Sequence, residues 1–287
     1  MHKNLKIVRR LSELRQITDA WKAAGETIGL VPTMGALHDG HMSLVKNARA
    51  QCDRVIASIF VNPKQFDRED DLEAYPRDEA ADAAKLDAEG TDVLWAPDVG
   101  EMYPDGFTTS VKVTGITDCL CGATRAGHFD GVAVVVSKLL MQCQPDRAYF
   151  GRKDYQQLMV VRRMVRDLNM PIDIRGIDTV RENDGLAMSS RNWYLTDGER
   201  AVAPALFQCL TDIAETASNG RDFMKKIEDS KKLLAGQGFG QVDYLEVRDA
   251  DTLELITRPT ARKARAFAAI FLGKARLIDN VPVDPAL

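Results

Sequence analysis

The chain has 287 residues, with 38 Lys and Arg set against 42 Asp and Glu, for a formal charge of −4. That balance excludes a general nucleic-acid binder, which needs a basic stripe and an excess of positive charge. Hydrophobic residues at 45% and charged residues at 28% describe an ordinary soluble globular protein, long enough for one large α/β domain and a smaller companion. The most apolar stretch, Val132 to Met141, is broken by Ser137 and Lys138 and is too short to span a bilayer. Arg9, Arg10, Glu13 and Arg15 leave no apolar signal region near the N-terminus, so the expectation is a cytoplasmic protein without membrane or nucleic-acid partners. The cysteines, Cys52, Cys119, Cys121, Cys143 and Cys209, are odd in number and irregular in spacing. Cys119 and Cys121 lack a second pair at zinc-ligand spacing, and all five are read as reduced structural thiols.

In chain order, short apolar runs alternate with amphipathic stretches, the pattern of a parallel sheet with crossover helices. Thr27 to Pro32 reads as a strand that breaks at Thr33-Met34-Gly35, and Gly40 to Gln51 as a helix. Val55 to Val61 is rich in β-branched residues and reads as a strand buried on both faces. Arg77 to Glu89 reads as a helix closed by Gly90, and Asp92 to Ala96 as a strand. Gly106 to Gly131 reads as an irregular loop region, and Val132 to Gln144 as buried helix. Arg147 to Phe150 reads as a strand, Tyr155 to Leu168 as a helix ended before Pro171, and Ile172 to Val180 as a strand. After Arg191 come amphipathic helices through Leu234, then strands at Gln241 to Val247 and Ala266 to Leu272. The fold class is therefore α/β: a Rossmann-like parallel-sheet domain over residues 1–180 and a smaller C-terminal α+β domain over 181–287.

No Walker A motif is present, since Gly273-Lys274 is followed by Ala275. Gly236, Gly238 and Gly240 follow a helix at the wrong spacing for a dinucleotide fingerprint. Attention falls instead on Thr33-Met34-Gly35-Ala36-Leu37-His38-Asp39-Gly40-His41, which ends a predicted strand and opens a predicted helix. Backbone N–H groups and the positive end of a helix dipole meet there, a natural anion site. His38 and His41, two of only four histidines, share one face of a helical turn and can donate to charge building on a phosphate.

This element resembles the His-x-Gly-His signature of the nucleotidylyltransferase superfamily. A second phosphate loop of the superfamily's Lys-Met-Ser-Lys-Ser type is matched by Leu186-Ala187-Met188-Ser189-Ser190-Arg191-Asn192. Val61-Asn62-Pro63-Lys64-Gln65-Phe66, Phe150-Gly151-Arg152-Lys153-Asp154-Tyr155-Gln156-Gln157 and the loop Gly122 to Gly131 narrow the resemblance to the pantothenate synthetase (pantoate–β-alanine ligase) family. Asp243 to Val247 and Arg276 to Asn280 resemble the same family, so the likeness covers essentially the whole chain. Two departures are Ala126, where the family pattern has Pro, and Val134, where it has Thr. The first loosens the loop, and the second removes a hydroxyl.

The resemblance implies an ATP-dependent, Mg²⁺-requiring ligase, homodimeric, that activates pantoate as an adenylate and passes it to β-alanine. Carried over onto matching residues, Thr33 to His41, Gly151, Arg152, Lys153, Asp154, Val180, Met188, Ser189, Ser190 and Arg191 hold ATP. His41, His38 and Lys153 are the catalytic donors among them. Gln65 and Gln157 hold pantoate, and Gln65 also meets β-alanine. Arg125 and His128 read as either a lid or a loop anchor. Asp82 reads as an outer-sphere partner for Mg²⁺ or as a residue of a solvated helix face, with no direct metal ligand expected. The acidic run Asp67, Glu69, Asp70, Asp71 and Glu73 reads as a solvated loop, and His2 carries no role. Three other readings compete: a different nucleotidylyltransferase, a protein like an aminoacyl-tRNA synthetase, and a non-catalytic nucleotide-binding regulator.

Overall fold

The computed structural model describes residues 5–67 and 69–285, so His2 lies outside the described residues. Two compact units interleave along the chain. The first gathers the described parts of Met1–Thr117 with Arg125–Arg152 and Gln157–Asp178. The second gathers Asp118–Thr124, Lys153–Gln156 and the described part of Thr179–Leu287.

The first unit is built on six parallel strands: β1 (Lys6–Val8), β2 (Ile28–Thr33), β3 (Arg54–Ile59), β4 (Val93–Trp95), β5 (Arg147–Gly151) and β6 (Asp173–Ile177). Their order is β1-β4-β3-β2-β5-β6. From β2 the chain winds outward through β3 to β4. It then returns to β5 on the other side of β2 and ends at β6. That reversal makes the carboxyl ends of β2 and β5 a topological switch point, where loops diverge and open parallel sheets hold ligands. Val55, Ile56, Ala57 and Ser58 of β3 are buried in unbroken succession, as a strand covered on both faces requires. The helix Asp39–Gln51 lays Met42, Leu44, Val45 and Ala48 onto a cluster with Val31, Val55, Ala57 and Tyr149.

The second unit holds an antiparallel sheet of β7 (Val242–Asp249), β8 (Leu255–Ile256), β9 (Ala264–Leu272) and β10 (Ala275–Val283), in the order β10-β9-β7-β8. Its apolar face is covered by the helices Ala205–Ser218 and Phe223–Gly236. These contribute Leu206, Leu210, Ile213, Phe223, Ile227 and Leu234 to one core with Ala266, Ala268 and Ile270.

Several expectations need correcting. The stretch 106–131, read as irregular loop, contains the helix Leu120–Thr124 and the first turn of the helix His128–Cys143. Its glycines misled the reading: Gly127 supplies a left-handed N-cap, and Gly131 sits where a Cβ would overlap the Lys64 carbonyl. The acidic run is not a solvated loop, because Glu69–Ala74 is a short helix and Asp67 pairs with Arg125. The strands β1, β8 and β10 were not anticipated. β1 and β8 are too short to show a period. β10 buries Asp279 and Asn280 at positions where a sequence pattern calls for apolar residues.

Asp279 is tolerated in that strand because Arg181 holds it with a two-pronged guanidinium contact, at 2.6 and 2.9 Å. The Asn280 amide donates to the same carboxylate at 2.7 Å. The Asp279 side chain is only 4% exposed, so losing its cation strands a buried charge. Arg181→Ala is expected to cost about 3–5 kcal/mol of stability, read as a lowered urea midpoint in equilibrium unfolding.

Candidate active site

At the carboxyl end of β2 the backbone turns sharply: Gly35 and Ala36 take φ of 85° and 52°, both left-handed. For Ala36 that conformation costs about 1–2 kcal/mol, and the structure supplies the compensation. Asp82 accepts the Ala36 and Leu37 N–H groups, both at 2.8 Å, one on each carboxylate oxygen. Lys85, one turn further along the helix Glu79–Ala88, donates to the Leu37 carbonyl at 2.5 Å. Thr33 Oγ1 donates to the Ser58 carbonyl at 2.7 Å and accepts the Gly35 N–H at 3.1 Å. A Cβ on Gly35 would crowd Asp82 and Ile59 at 3.1 and 3.2 Å. Asp82 is 2% exposed, so the solvated-face reading is overturned, and both its oxygens are engaged by the loop.

The loop delivers His38 and His41 to the N-terminus of the helix Asp39–Gln51, with ring centroids 4.1 Å apart. His38 Nδ1 accepts the Gly40 N–H at 3.2 Å, and His41 Nδ1 lies 3.4 Å from the His38 N–H in a reciprocal capping arrangement. A nitrogen that accepts from a backbone N–H carries no proton itself. The neutral rings are thereby fixed as Nε2–H tautomers. Both imidazoles become donors at Nε2, beside a helix N-terminus that already favours negative charge.

At the end of β3 a 3-10 turn, Pro63–Gln65, is capped by Asn62, which is 1% exposed. Asn62 Nδ2 donates to the Gly131 carbonyl and to Gln65 Oε1, each at 3.0 Å. Gln65 Nε2 lies 3.0 Å from Met34 Sδ, so the Gln65 side chain adjoins the loop after β2. His128 Nδ1 donates to the Gln65 carbonyl at 2.8 Å, and Arg125 reaches the same oxygen at 3.3 Å. Arg125 also pairs with Asp67 at 2.8 Å. Burial raises the Asp67 pKa, but the Arg125 guanidinium outweighs this and holds the carboxyl below its usual range. Of the two roles left open for Arg125 and His128, these contacts are those of an anchor. Gln157 lies half-buried in the helix Tyr155–Asp167, Gly151 ends β5, and Arg152 pairs with Asp178 at 2.6 Å.

In the second unit, Val180 accepts from the Met188 N–H at 3.0 Å, and Arg181 bridges to Ala187, so residues 180–188 form a tight hairpin. Beyond it Ser189 caps the 3-10 turn Ser190–Tyr194 by accepting the Arg191 N–H at 3.2 Å. Asn192 donates to the Ala187 carbonyl at 3.0 Å, closing the Met-Ser-Ser-Arg loop on its own stem. A cavity beside this loop is lined by Lys153, Ser189, Asn192 and Asp279. The Lys153 carbonyl accepts from Asn280 at 2.8 Å, and its ammonium lies 3.8 Å from Asp154.

Asp82 as loop clamp, Lys85, Asn62 and Tyr103, which donates to Asn62 at 2.8 Å, were missed as site-shaping residues. Only Asn62 left a local signal, an Asn-Pro pair at a strand end, which favours a capped turn.

The strand order reverses beside β2, so the histidine-bearing loop lies where open parallel α/β sheets hold their ligands. Residues 6–282 match the family model described as Pantoate-beta-alanine ligase, and the chain belongs to that family. It is 54% identical to the pantothenate synthetase of Dinoroseobacter shibae over 277 residues, 96% of this chain and 99% of that one. It is 52% identical to that of Rhodospirillum rubrum over 97% of this chain and 99% of that one. Among solved structures, the pantothenate synthetase of Thermus thermophilus superposes with a TM-score of 0.90 at 46% identity, covering 98% of this chain and 100% of that one. The pantoate-β-alanine ligase of Francisella tularensis, complexed with β,γ-ATP and β-alanine, gives 0.83 at 34% identity, covering 96% and 97%.

Asp82→Asn places an amide N–H against one of two backbone donors and leaves that donor unsatisfied. The expected loss is about 1–3 kcal/mol, measured as a shift in urea midpoint at unchanged slope.

Proposed function

We propose that this chain condenses pantoate with β-alanine at the expense of ATP, giving pantothenate, AMP and pyrophosphate through a bound pantoyl adenylate. The observation that carries the reading is the family match across residues 6–282. The Francisella relative, complexed with β,γ-ATP and β-alanine, supports the choice of substrates.

The chemistry runs in two steps. A carboxylate oxygen of pantoate attacks the α-phosphorus of ATP, a P–O bond forms, and pyrophosphate departs with the electrons of the bond that breaks. The amine of β-alanine, its ammonium proton given up to solvent, then attacks the acyl carbon; the acyl C–O bond breaks, AMP leaves with its electrons, and the nitrogen sheds a second proton to solvent as the amide forms. Positioning and charge stabilisation supply most of the acceleration in such phosphoryl chemistry. His38 and His41 donate from Nε2 to the phosphate oxygens, and the backbone from Thr33 to Gly40 lies along the phosphates. Lys153 neutralises the outer phosphates, joined by Ser189, Ser190 and Arg191 of the unit that carries Met188. Gly151, Arg152, Asp154 and Val180 hold the nucleoside. Gln65 and Gln157 hold pantoate, and Gln65 also meets β-alanine.

Mg²⁺ enters as the salt of ATP. Among the described residues no group of three or more His, Cys, Asp or Glu side chains is arranged to hold a metal. Mg²⁺ usually binds through substrate phosphates and retained waters rather than a protein cage, and would here neutralise triphosphate charge. Asp82 serves the loop and not the ion in this reading. The family resemblance alone carries a homodimer; no helix among the described residues is long and apolar enough to cross a membrane.

Incubation with ATP, Mg²⁺, pantoate and β-alanine is expected to yield AMP, pyrophosphate and pantothenate in equal amounts. His41→Ala is expected to slow turnover by roughly 10²–10³-fold, the usual cost of losing one transition-state donor. Formation of ADP with the amide would sink the adenylate route.

A further inference from the structure

A glutamine that holds a hydroxy acid can present either its oxygen or its NH2 to the ligand, and diffraction rarely tells the two apart. Here the contacts decide. Asn62 sits between two backbone groups of fixed character: its Oδ1 faces the Lys64 N–H at 3.3 Å, and its Nδ2 faces the Gly131 carbonyl at 3.0 Å. A backbone N–H only donates and a carbonyl only accepts, so the Asn62 amide has one orientation. Its Nδ2 then donates to Gln65 at 3.0 Å, which makes the facing atom Oε1 and turns the Gln65 NH2 away from Asn62. That NH2 rests on the Met34 thioether at 3.0 Å, a weak acceptor that a carboxylate or hydroxyl oxygen readily outcompetes.

Behind Asn62 stands Tyr103, whose hydroxyl donates to Asn62 Oδ1 at 2.8 Å. This bond is shorter than the one from the Lys64 N–H to the same oxygen. Burial raises the Tyr103 pKa well above the ordinary phenol value, so its hydroxyl stays a donor across the working pH range. The ring is held independently, 6.0 Å edge-on to Phe60 and 5.1 Å from Phe107, with the Lys64 ammonium 5.1 Å from its centroid.

We propose that Tyr103 is a positioning residue of the hydroxy-acid site, acting through Asn62 to hold the Gln65 amide with its NH2 presented as donor to a substrate oxygen. The relay runs Tyr103 O–H to Asn62 Oδ1, Asn62 N–H to Gln65 Oε1, and Gln65 N–H to the ligand. Each member donates forward, so removal of the first hydroxyl loosens the last amide without touching substrate. The proposal rests on the reading of Gln65 as a pantoate-holding residue.

The test is steady-state kinetics of Tyr103→Phe, Gln65→Leu and the double variant, with melting temperatures alongside. Tyr103→Phe keeps every ring contact and deletes only the hydroxyl. It is expected to raise KM for pantoate roughly three- to ten-fold, the equivalent of one net hydrogen bond, with KM for ATP and melting temperature unchanged. In the Gln65→Leu background the same change is expected to add nothing, the non-additivity of two members of one relay. An unchanged pantoate KM in Tyr103→Phe overturns the proposal. So does a uniform worsening of all constants with a lowered melting temperature, or a full additive effect in the double variant. If Gln65→Leu itself leaves pantoate KM unaltered, the failure lies in the underlying assignment of Gln65, and the relay falls with it.

Discussion

Asp82 contributes one carboxylate, and the geometry at the end of β2 depends on it. The Gly35-Ala36 turn is left-handed at both residues, a conformation that an alanine adopts only under constraint. Two hydrogen bonds from Ala36 and Leu37 to a buried anion supply that constraint, and charge-assisted bonds of this length are about twice as strong as neutral ones. The anion is itself tolerable inside the fold because each oxygen meets a backbone donor and because Lys85 approaches the same loop. A side chain at Gly35 would crowd Asp82 and Ile59 on a residue already left-handed. His38 follows directly from this turn, so the placement of both imidazoles inherits its rigidity.

The histidines illustrate how backbone contacts select chemistry. His38 and His41 spend Nδ1 on capping and keep Nε2–H as donors. His128 has the opposite tautomer, since its Nδ1 donates to the Gln65 carbonyl while Nε2 faces an Arg125 N–H. Three rings of identical intrinsic chemistry thus become two donors at Nε2 and one structural brace. A donor fixed before substrate arrives needs no reorganisation when charge develops, the condition under which such groups stabilise a transition state most.

Legibility in the sequence followed the range of the interaction. β2, β3 and the helix Asp39–Gln51 were readable because apolar run, glycine break and amphipathic period lie within a few residues of one another. The closeness of His38 and His41 was readable from their three-residue spacing, although His38 is the extended N-cap and not part of the helical turn that carries His41. Asp82 was not readable, because its partners lie 45 and 46 residues away and nothing local distinguishes it from Glu79 and Asp87, the half-buried acids of the same helix. β10 was hidden by Asp279, whose compensating Arg181 lies 98 residues earlier. In both cases a buried carboxylate is legible only with its distant partner in view.

The same logic governs the glutamine at the end of β3. An amide side chain is chemically ambivalent, and its use as a recognition element depends on removing that ambivalence. Lys64 N–H and the Gly131 carbonyl do so for Asn62, and Asn62 does so for Gln65. Gly131 reaches that position only because it lacks a Cβ that would overlap the Lys64 carbonyl, so one glycine in a helix permits the close approach on which the amide orientation rests. Met34, from the loop that Asp82 clamps, completes the arrangement by offering the Gln65 NH2 a contact weak enough to be surrendered. The loops after β2 and β3 therefore adjoin through a thioether and an amide, while the orientation of the donor is set by Asn62 on the β3 side.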